Sequence, residues 1–270
     1  MNRSNLRGLR ALLLLLLGAA CPPGYAQGDL TETSLEDLLK TGVTSVSKKT
    51  QALSDTAAAI HVITQEDIRR SGATRLTEVL AQAPGIEVGR IAGGIASVTI
   101  RGFSGQWANK LLVLIDGRSV YTQTFSGTYW DMQNLLLEDI ERIEILRGPG
   151  STLWGANAVN GVINIITRNA ASAQGTQVSA AAGTELHGSL FASHGLALSE
   201  TTHLEVHAKS QYIEPSSTPE NANARDFWRT RQAGFRLDGK AGGDRFRLQG
   251  SVRDSVTGDH FMMPTPQGRA

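Results

Sequence analysis

The sequence predicts an α+β domain followed by the first strands of an antiparallel transmembrane β-barrel. Three observations predict it. Leu111–Arg168 alternates short apolar strands with turns dense in glycine. Two short helical segments with cap residues precede it, so the domain mixes helix and strand. After Arg168 the texture changes to segments of about ten residues that alternate polar and apolar, the pattern of outer-membrane strands. Composition agrees: hydrophobic residues are 40%, charged residues 19%, and 29 of 270 residues are Gly, where roughly 7% is usual. The net charge of +1 gives no case for a nucleic-acid partner. The single Cys excludes a disulfide within the chain.

Residues 1–26 read as an export signal. Arg3, Arg7 and Arg10 precede the apolar run Ala11–Ala20, and Gly24-Tyr25-Ala26 supplies small residues for cleavage. The run is too short to span a bilayer as a helix. Cys21 stands near a lipoprotein-like spacing, but the Leu is one place too far and Pro22-Pro23 follow at once. Residues 27–50 form a lead, with Ser34–Lys40 fit for one or two helical turns and the β-prone Thr41–Lys48 behind it. Read alone, that second segment is a linker.

Residues 51–170 form the compact domain. Ala59–Ile63 is a strand. Thr64 caps a helix over Gln65–Arg70, with Asp67 three places on. Thr74 caps a second, Arg75–Gln82, with Leu76, Val79 and Leu80 at helical spacing. Ile86–Val88 and Val98–Arg101 are strands around a glycine-rich loop, Gly89–Ser97. Lys110–Ile115 is a buried strand closed by Asp116-Gly117, a hairpin signal. Arg142–Arg147 alternates charged and apolar residues, so a half-buried strand is expected. Gly161–Thr167 is continuously apolar, as in a strand covered on both faces.

Residues 171–270 divide into about five strands: Thr176–Gly183, Gly188–Ala197, Thr202–Tyr212, Phe227–Leu237 and Arg245–Ser255. His203, Glu205 and His207 share one face, directed to the lumen. Known barrels close with eight strands or more, and an open sheet leaves backbone groups unsatisfied in hydrocarbon. The expectation is therefore a piece of a longer protein.

Six stretches carry a resemblance. They are Ile63-Thr-Gln-Glu-Asp-Ile68, Leu80-Ala-Gln-Ala-Pro-Gly-Ile-Glu-Val88, Ile100-Arg-Gly-Phe103, Val113-Leu-Ile-Asp-Gly-Arg118, Ile140-Glu-Arg-Ile-Glu-Ile-Leu-Arg-Gly-Pro149 and Gly155-Ala-Asn-Ala-Val-Asn-Gly-Val-Ile-Asn-Ile-Ile-Thr167. Together, and in this order, they resemble the plug domain of TonB-dependent outer-membrane receptors. The resemblance implies a plug inside a 22-stranded barrel, in the outer membrane of a Gram-negative bacterium, with the N-terminus periplasmic. It implies energised uptake of a scarce solute, most often a ferric siderophore, with cobalamin, haem or a glycan as alternatives. It implies TonB, outer-membrane lipid and an extracellular ligand such as a metal chelate as partners.

The resemblance also assigns residues. Val43, Thr44, Ser45, Val46 and Ser47 match a variant of the TonB box, which binds as an added strand. They depart from the commoner form with an acidic first residue and Val-Val. The lead is too short for the extra periplasmic domain of signal-transducing receptors. Arg101 and Arg147 match two plug arginines that pair with barrel glutamates; pairing within the plug, to Glu141 or Glu144, is the alternative. The loops Gly89–Ser97, Gly102–Asn109 and Tyr121–Asp131 correspond to outward apices. They offer Arg90, Phe103, Gln106, Trp107, Asn109, Tyr121, Phe125, Tyr129 and Trp130 for ligand binding, and the aromatics suit a flat or ring-shaped solute. Packing against the barrel wall is the other use for those rings.

Other chemistries find less support. No nucleophile–base or metal constellation is present in the sequence, so neither an enzyme nor a cofactor is expected. Gly150–Gly155 has phosphate-loop spacing, but Ala156-Asn157 replace the Lys and Ser/Thr that such a loop needs. A passive porin or a phage or toxin receptor would need neither a plug nor the strand at Val43–Ser47.

Overall fold

A computed structural model describes residues 42–43, 51–52 and 59–258, apart from 93, 103–104, 106–107, 134, 156 and 218–222. The export signal, the turns at Ser34–Lys40, and Thr44, Ser45, Val46 and Ser47 lie outside the described residues, as do Phe103, Gln106 and Trp107. Two short strands, β1 (Gly42–Val43) and β2 (Gln51–Ala52), pair antiparallel.

The N-terminal domain is built on a mixed sheet. β3 (Ile60–Thr64) leads into helix α1 (Gln65–Ser71). The Thr64 hydroxyl accepts from the Asp67 amide and the Asp67 carboxylate accepts from the Thr64 amide at 2.8 Å, so the capping box forms as the sequence predicts. Gly72, at φ 67°, stops the helix in the left-handed conformation. The second helix, α2 (Leu76–Leu80), is shorter than expected. Its cap position holds Arg75, and Glu78 accepts from the Thr74 and Arg75 amides instead.

β4 (Ile86–Arg90) and β5 (Ala96–Ile100) form a separate hairpin. The loop expected at Gly89–Ser97 contracts to residues 91–95, because the ladder continues through Arg90↔Ala96. β6 (Leu111–Ile115) and β7 (Arg118–Ser119) follow, then a 3-10 turn over Leu137–Asp139 that opens β8 (Ile140–Arg147). One helical turn, α3 (Ser151–Trp154), precedes β9 (Gly161–Thr167). The sheet runs β3-β8-β9-β6-β7. Only β6 and β9 pair in parallel within it.

β8 therefore lies between β3 and β9, and the half-buried expectation for it fails. Both faces are covered, and Glu144 has 0% exposure. Its charge is tolerated because Arg142 Nε donates to Glu144 Oε1 at 3.1 Å. Ile143, Ile145, Ile163, Ile165 and Val113 fill one side of the sheet against Val79 and Leu80 of α2.

A second sheet is an antiparallel meander in chain order: β10 (Gly175–Ala181), β11 (Leu186–Ala197), β12 (His203–Ile213), β13 (Trp228–Ala241) and β14 (Asp244–Thr257). All five predicted strands are present. Their alternation sorts the residues by face. Glu205, Gln211, Thr230 and Arg236 are buried against the N-terminal domain, Arg236 with 4% exposure. Val178, Leu190, Val206, Phe235 and Val252 point away from it, Val252 with 75%. The sheet thus has a polar inner face and an apolar outer face, as a barrel wall requires.

Candidate functional site

The polar inner face of the wall holds the N-terminal domain by charged contacts. Glu185, in the turn between β10 and β11, receives Arg75 Nη2 at 2.7 Å and also pairs with Arg90. Lys209 on β12 pairs with Glu138 at 3.0 Å. Gln211 Nε2 donates to the Thr74 carbonyl at 3.2 Å. Arg253 on β14 donates to the Met132 carbonyl at 2.7 Å. Lys209 and Glu138 keep 8% and 19% of their side chains exposed, so that pair is largely desolvated, whereas Arg75, 8% exposed, reaches a Glu185 that is 49% exposed.

A cavity of about 480 Å³ lies between the two layers. Asp139, Thr167, His207, Gln232, Arg236 and Arg253 are among its lining residues. Burial pushes the Asp139 carboxyl up to about 7; the nearby Glu205 adds to this, while Arg236, His207 and Arg168 oppose it. His207 Nδ1 lies 3.0 Å from Glu205 Oε2. With His203, this pair is the lumen-facing set that the alternation of β12 predicts. No group of three or more metal-ligating side chains occurs among the described residues.

An α+β domain seated on the polar face of outward-apolar antiparallel strands narrows the choice of family. A family model described as "TonB-dependent Receptor Plug Domain" matches residues 52–162. The chain carries a TonB-dependent receptor plug domain. The vitamin B12 transporter BtuB of Vibrio vulnificus is 32% identical over 176 residues, 64% of this chain and 27% of that protein. BtuB of Vibrio cholerae is 31% identical over 198 residues, 73% of this chain and 31% of that protein. Among solved structures, the ferric-catecholate import receptor Fiu from E. coli K12 matches with a TM-score of 0.60 at 19% identity, over 77% of this chain and 28% of that one. The pyoverdine outer membrane receptor FpvA from Pseudomonas aeruginosa matches at 0.59 and 17%, over 80% and 30%. These structures support the fold. The chain spans about a third or less of the length of the curated relatives it matches.

The plug places its candidate residues unequally. Arg101 and Arg147 come together: Arg101 Nη2 donates to the Arg147 carbonyl at 3.2 Å, with Arg101 held at φ 61°. Glu141 and Glu144 both pair with Arg142. Among the described residues, Arg101 and Arg147 form no ion pair. Asn109 is exposed beside a cavity of about 280 Å³ that Gly102, Gly105, Lys110 and Asn160 also line.

Phe125 and Tyr129 meet edge to face at 4.8 Å, in a loop closed by the Thr122↔Gly127 bridge. Tyr121 is half-buried beside them in sequence. Trp130 departs from the expected apex position. It is 9% exposed and packs in the plug core with Leu137, where its large apolar ring loses more water than on a loop tip. Arg90 lies in β4 and is engaged by Glu185. Arg75, Glu138, Asp139, Lys209 and Arg236 escaped the sequence reading; the signal available was polar residues on alternate positions of wall strands, without their partners. Of the TonB-box residues, Val43 lies in β1.

Proposed function

We propose that this chain is the plug and first wall strands of a receptor that imports a scarce solute across the outer membrane by TonB-driven transport. The observation that carries this is the seating of the plug on the inner wall through desolvated pairs such as Lys209–Glu138. A plug held in this way blocks passive flow, so passage requires work. Tight capture has the same consequence, since a nanomolar site corresponds to about −12 kcal/mol and releases slowly unaided. The work would come through Val43–Ser47, paired as an added strand to TonB in the periplasm. Arg101 and Arg147 would pair with glutamates of further wall strands.

The solute reading best supported is a corrinoid, because curated relatives at 32% and 31% identity are vitamin B12 transporters. Tyr121, Phe125 and Tyr129 suit the apolar faces of a large ring. A ferric siderophore, the expectation from the family at large, is the competing arm of the test. Cells carrying the full-length gene are assayed for uptake of labelled cyanocobalamin and of ferric siderophores, with and without a proton-motive force. Uptake that is energised, and abolished by Val43→Pro or Val46→Pro while ligand binding persists, is expected, since Pro removes the strand's donor. Uptake indifferent to the proton-motive force would instead identify a passive pore.

A further inference from the structure

We infer that the inner wall carries a binding site for an oxyanion, a phosphate or carboxylate group, centred on Gly234 and faced by the plug. The site lies in the cavity of about 480 Å³ between the two layers.

Strand register builds it. The inward residues of β12, β13 and β14 stand in three rows: Glu205, Arg236 and Gln249; then His207, Gly234 and Ser251; then Lys209, Gln232 and Arg253. The middle place has no side chain. A Cβ there would stand 2.5 Å from His207 Nε2 and 2.8 Å from the Gly250 carbonyl oxygen. Glycine therefore leaves a hollow among long polar side chains, and His207 brings its Nε2 over that hollow.

Three polar atoms of this patch are buried without a hydrogen-bond partner among the described residues: Arg236 Nη2, His207 Nε2 and Gln232 Oε1. All three residues line the cavity. Two of them are held in place by their other atoms. Arg236 donates from Nε to Asp238 and from Nη1 to the Thr167 hydroxyl. His207 Nδ1 lies 3.0 Å from Glu205. Leaving a buried polar atom unpaired is costly, most of all on a charged group. A fixed guanidinium with one nitrogen to spare is therefore a mark of an occupant.

Charge decides the class of that occupant. Arg236 is 4% exposed, so its field is little screened by solvent. Arg118 from the plug and Arg253 from β14 line the same cavity. The carboxylates around it are already engaged: Asp238 by Arg236 and Arg247, Glu205 by His207, and Asp116 by Thr167. Burial holds the Asp139 carboxyl neutral up to about pH 7, so over that range it adds no repelling charge to the lining. A guanidinium N–H flanked by imidazole and amide groups suits the lone pairs of an oxyanion. The space also has room for water beside it.

An oxyanion reaches this place either free in the periplasm or carried on the solute. A corrinoid that bears its nucleotide carries a phosphodiester, and this second source rests on the corrinoid reading above.

In the test, the full-length receptor is equilibrated with radiolabelled inorganic phosphate, and its crystals are soaked in selenate to locate the anion by anomalous scattering. One saturable site is expected, with selenate beside Arg236 and His207. Binding is expected to be about tenfold or more weaker in His207→Phe and in Gly234→Ala. The first variant keeps a ring but loses Nε2; the second keeps every charge and fills the hollow. Lack of saturable phosphate binding by the unaltered receptor up to about 10 mM overturns the proposal without any variant. So does selenate found only elsewhere, an adventitious ion only, or full binding by both variants. Energised uptake by His207→Phe then separates the sources, using labelled cyanocobalamin and labelled cobinamide, the same corrin without the phosphodiester. Slowing of cyanocobalamin alone assigns the site to the solute's phosphate; no slowing of either assigns it to a free anion. Phosphate binding is read without uptake, so failure of the corrinoid reading is distinguishable from failure of the site.

Discussion

Lys209 on the inner wall donates to both carboxylate oxygens of Glu138 in the plug, at 3.1 and 3.0 Å. Removing either partner leaves a buried charge alone, which costs about 3–5 kcal/mol. Lys209→Met is therefore expected to loosen the plug strongly, and Glu138→Gln combined with Lys209→Met to recover much of the loss. Protease access to the plug across a urea series in the full-length receptor measures this. Strictly additive losses would show that the two groups are not coupled.

The two arginines on Glu185 differ in depth. Arg75 is 8% exposed and Arg90 is 42% exposed. Arg75→Met removes the buried partner of a half-exposed carboxylate that Arg90 still holds, so it is expected to loosen plug docking more than Arg90→Ala, which is expected to cost about 1 kcal/mol or less. The order, Arg75 above Arg90, is checked by the same urea series.

Asp139 sets a pH dependence. Its carboxyl, pushed up to about 7, binds a proton in the folded state that the unfolded chain has already released. The unfolded state thus holds fewer protons between about pH 4 and 7, and the stability contributed by this group falls as pH rises through that window. Above pH 7 the contribution is flat. Thermal unfolding of the receptor between pH 5 and 8 is expected to decline more steeply than that of Asp139→Asn, with Glu205, His207, Arg168 and Arg236 unchanged. Parallel curves would refute the assignment.

Gly161 opens β9 where a side chain has no room. A Cβ there would stand 2.5 Å from the Leu146 carbonyl oxygen and 2.8 Å from Ile100 Cδ1. Gly161→Ala is expected to cost about 1–3 kcal/mol or more, because a backbone oxygen must move. Gly89→Ala, with nothing within 4 Å, is the neutral control. The yield of receptor with a protease-resistant plug compares the two.

Much of the fold was legible because its signals are local. The alternation in His203–Ile213 gives both the strand and its inward residues, and the Thr64–Asp67 box needs only four consecutive residues. Glu144 was misread because the same alternation fits a half-buried strand and a central one that hides an ion pair. Trp130 was misread because a polar, glycine-bearing neighbourhood resembles an exposed loop, while its burial depends on Leu137 and the sheet behind it. The seating of the plug was the least legible part. Arg75 and Glu185 are 110 residues apart, and neither carries a mark of the other. The lining of a binding site for a solute depends in the same way on contacts between distant loops.

The short connector from the plug to the wall is fastened along its length. Asp116 accepts from the Thr167 amide and hydroxyl at 2.9 and 2.7 Å, and Arg236 reaches the same hydroxyl. Arg168 donates its amide to the Asp139 carbonyl, and the Ala170 amide donates to Asp238 at 2.8 Å. A door swings only on a free pin, and this joint is welded on both leaves. Force applied at the far end of the plug would then find no swivel to turn on, and would be spent in unpicking the plug from its own N-terminal side while the welded end stays with the wall.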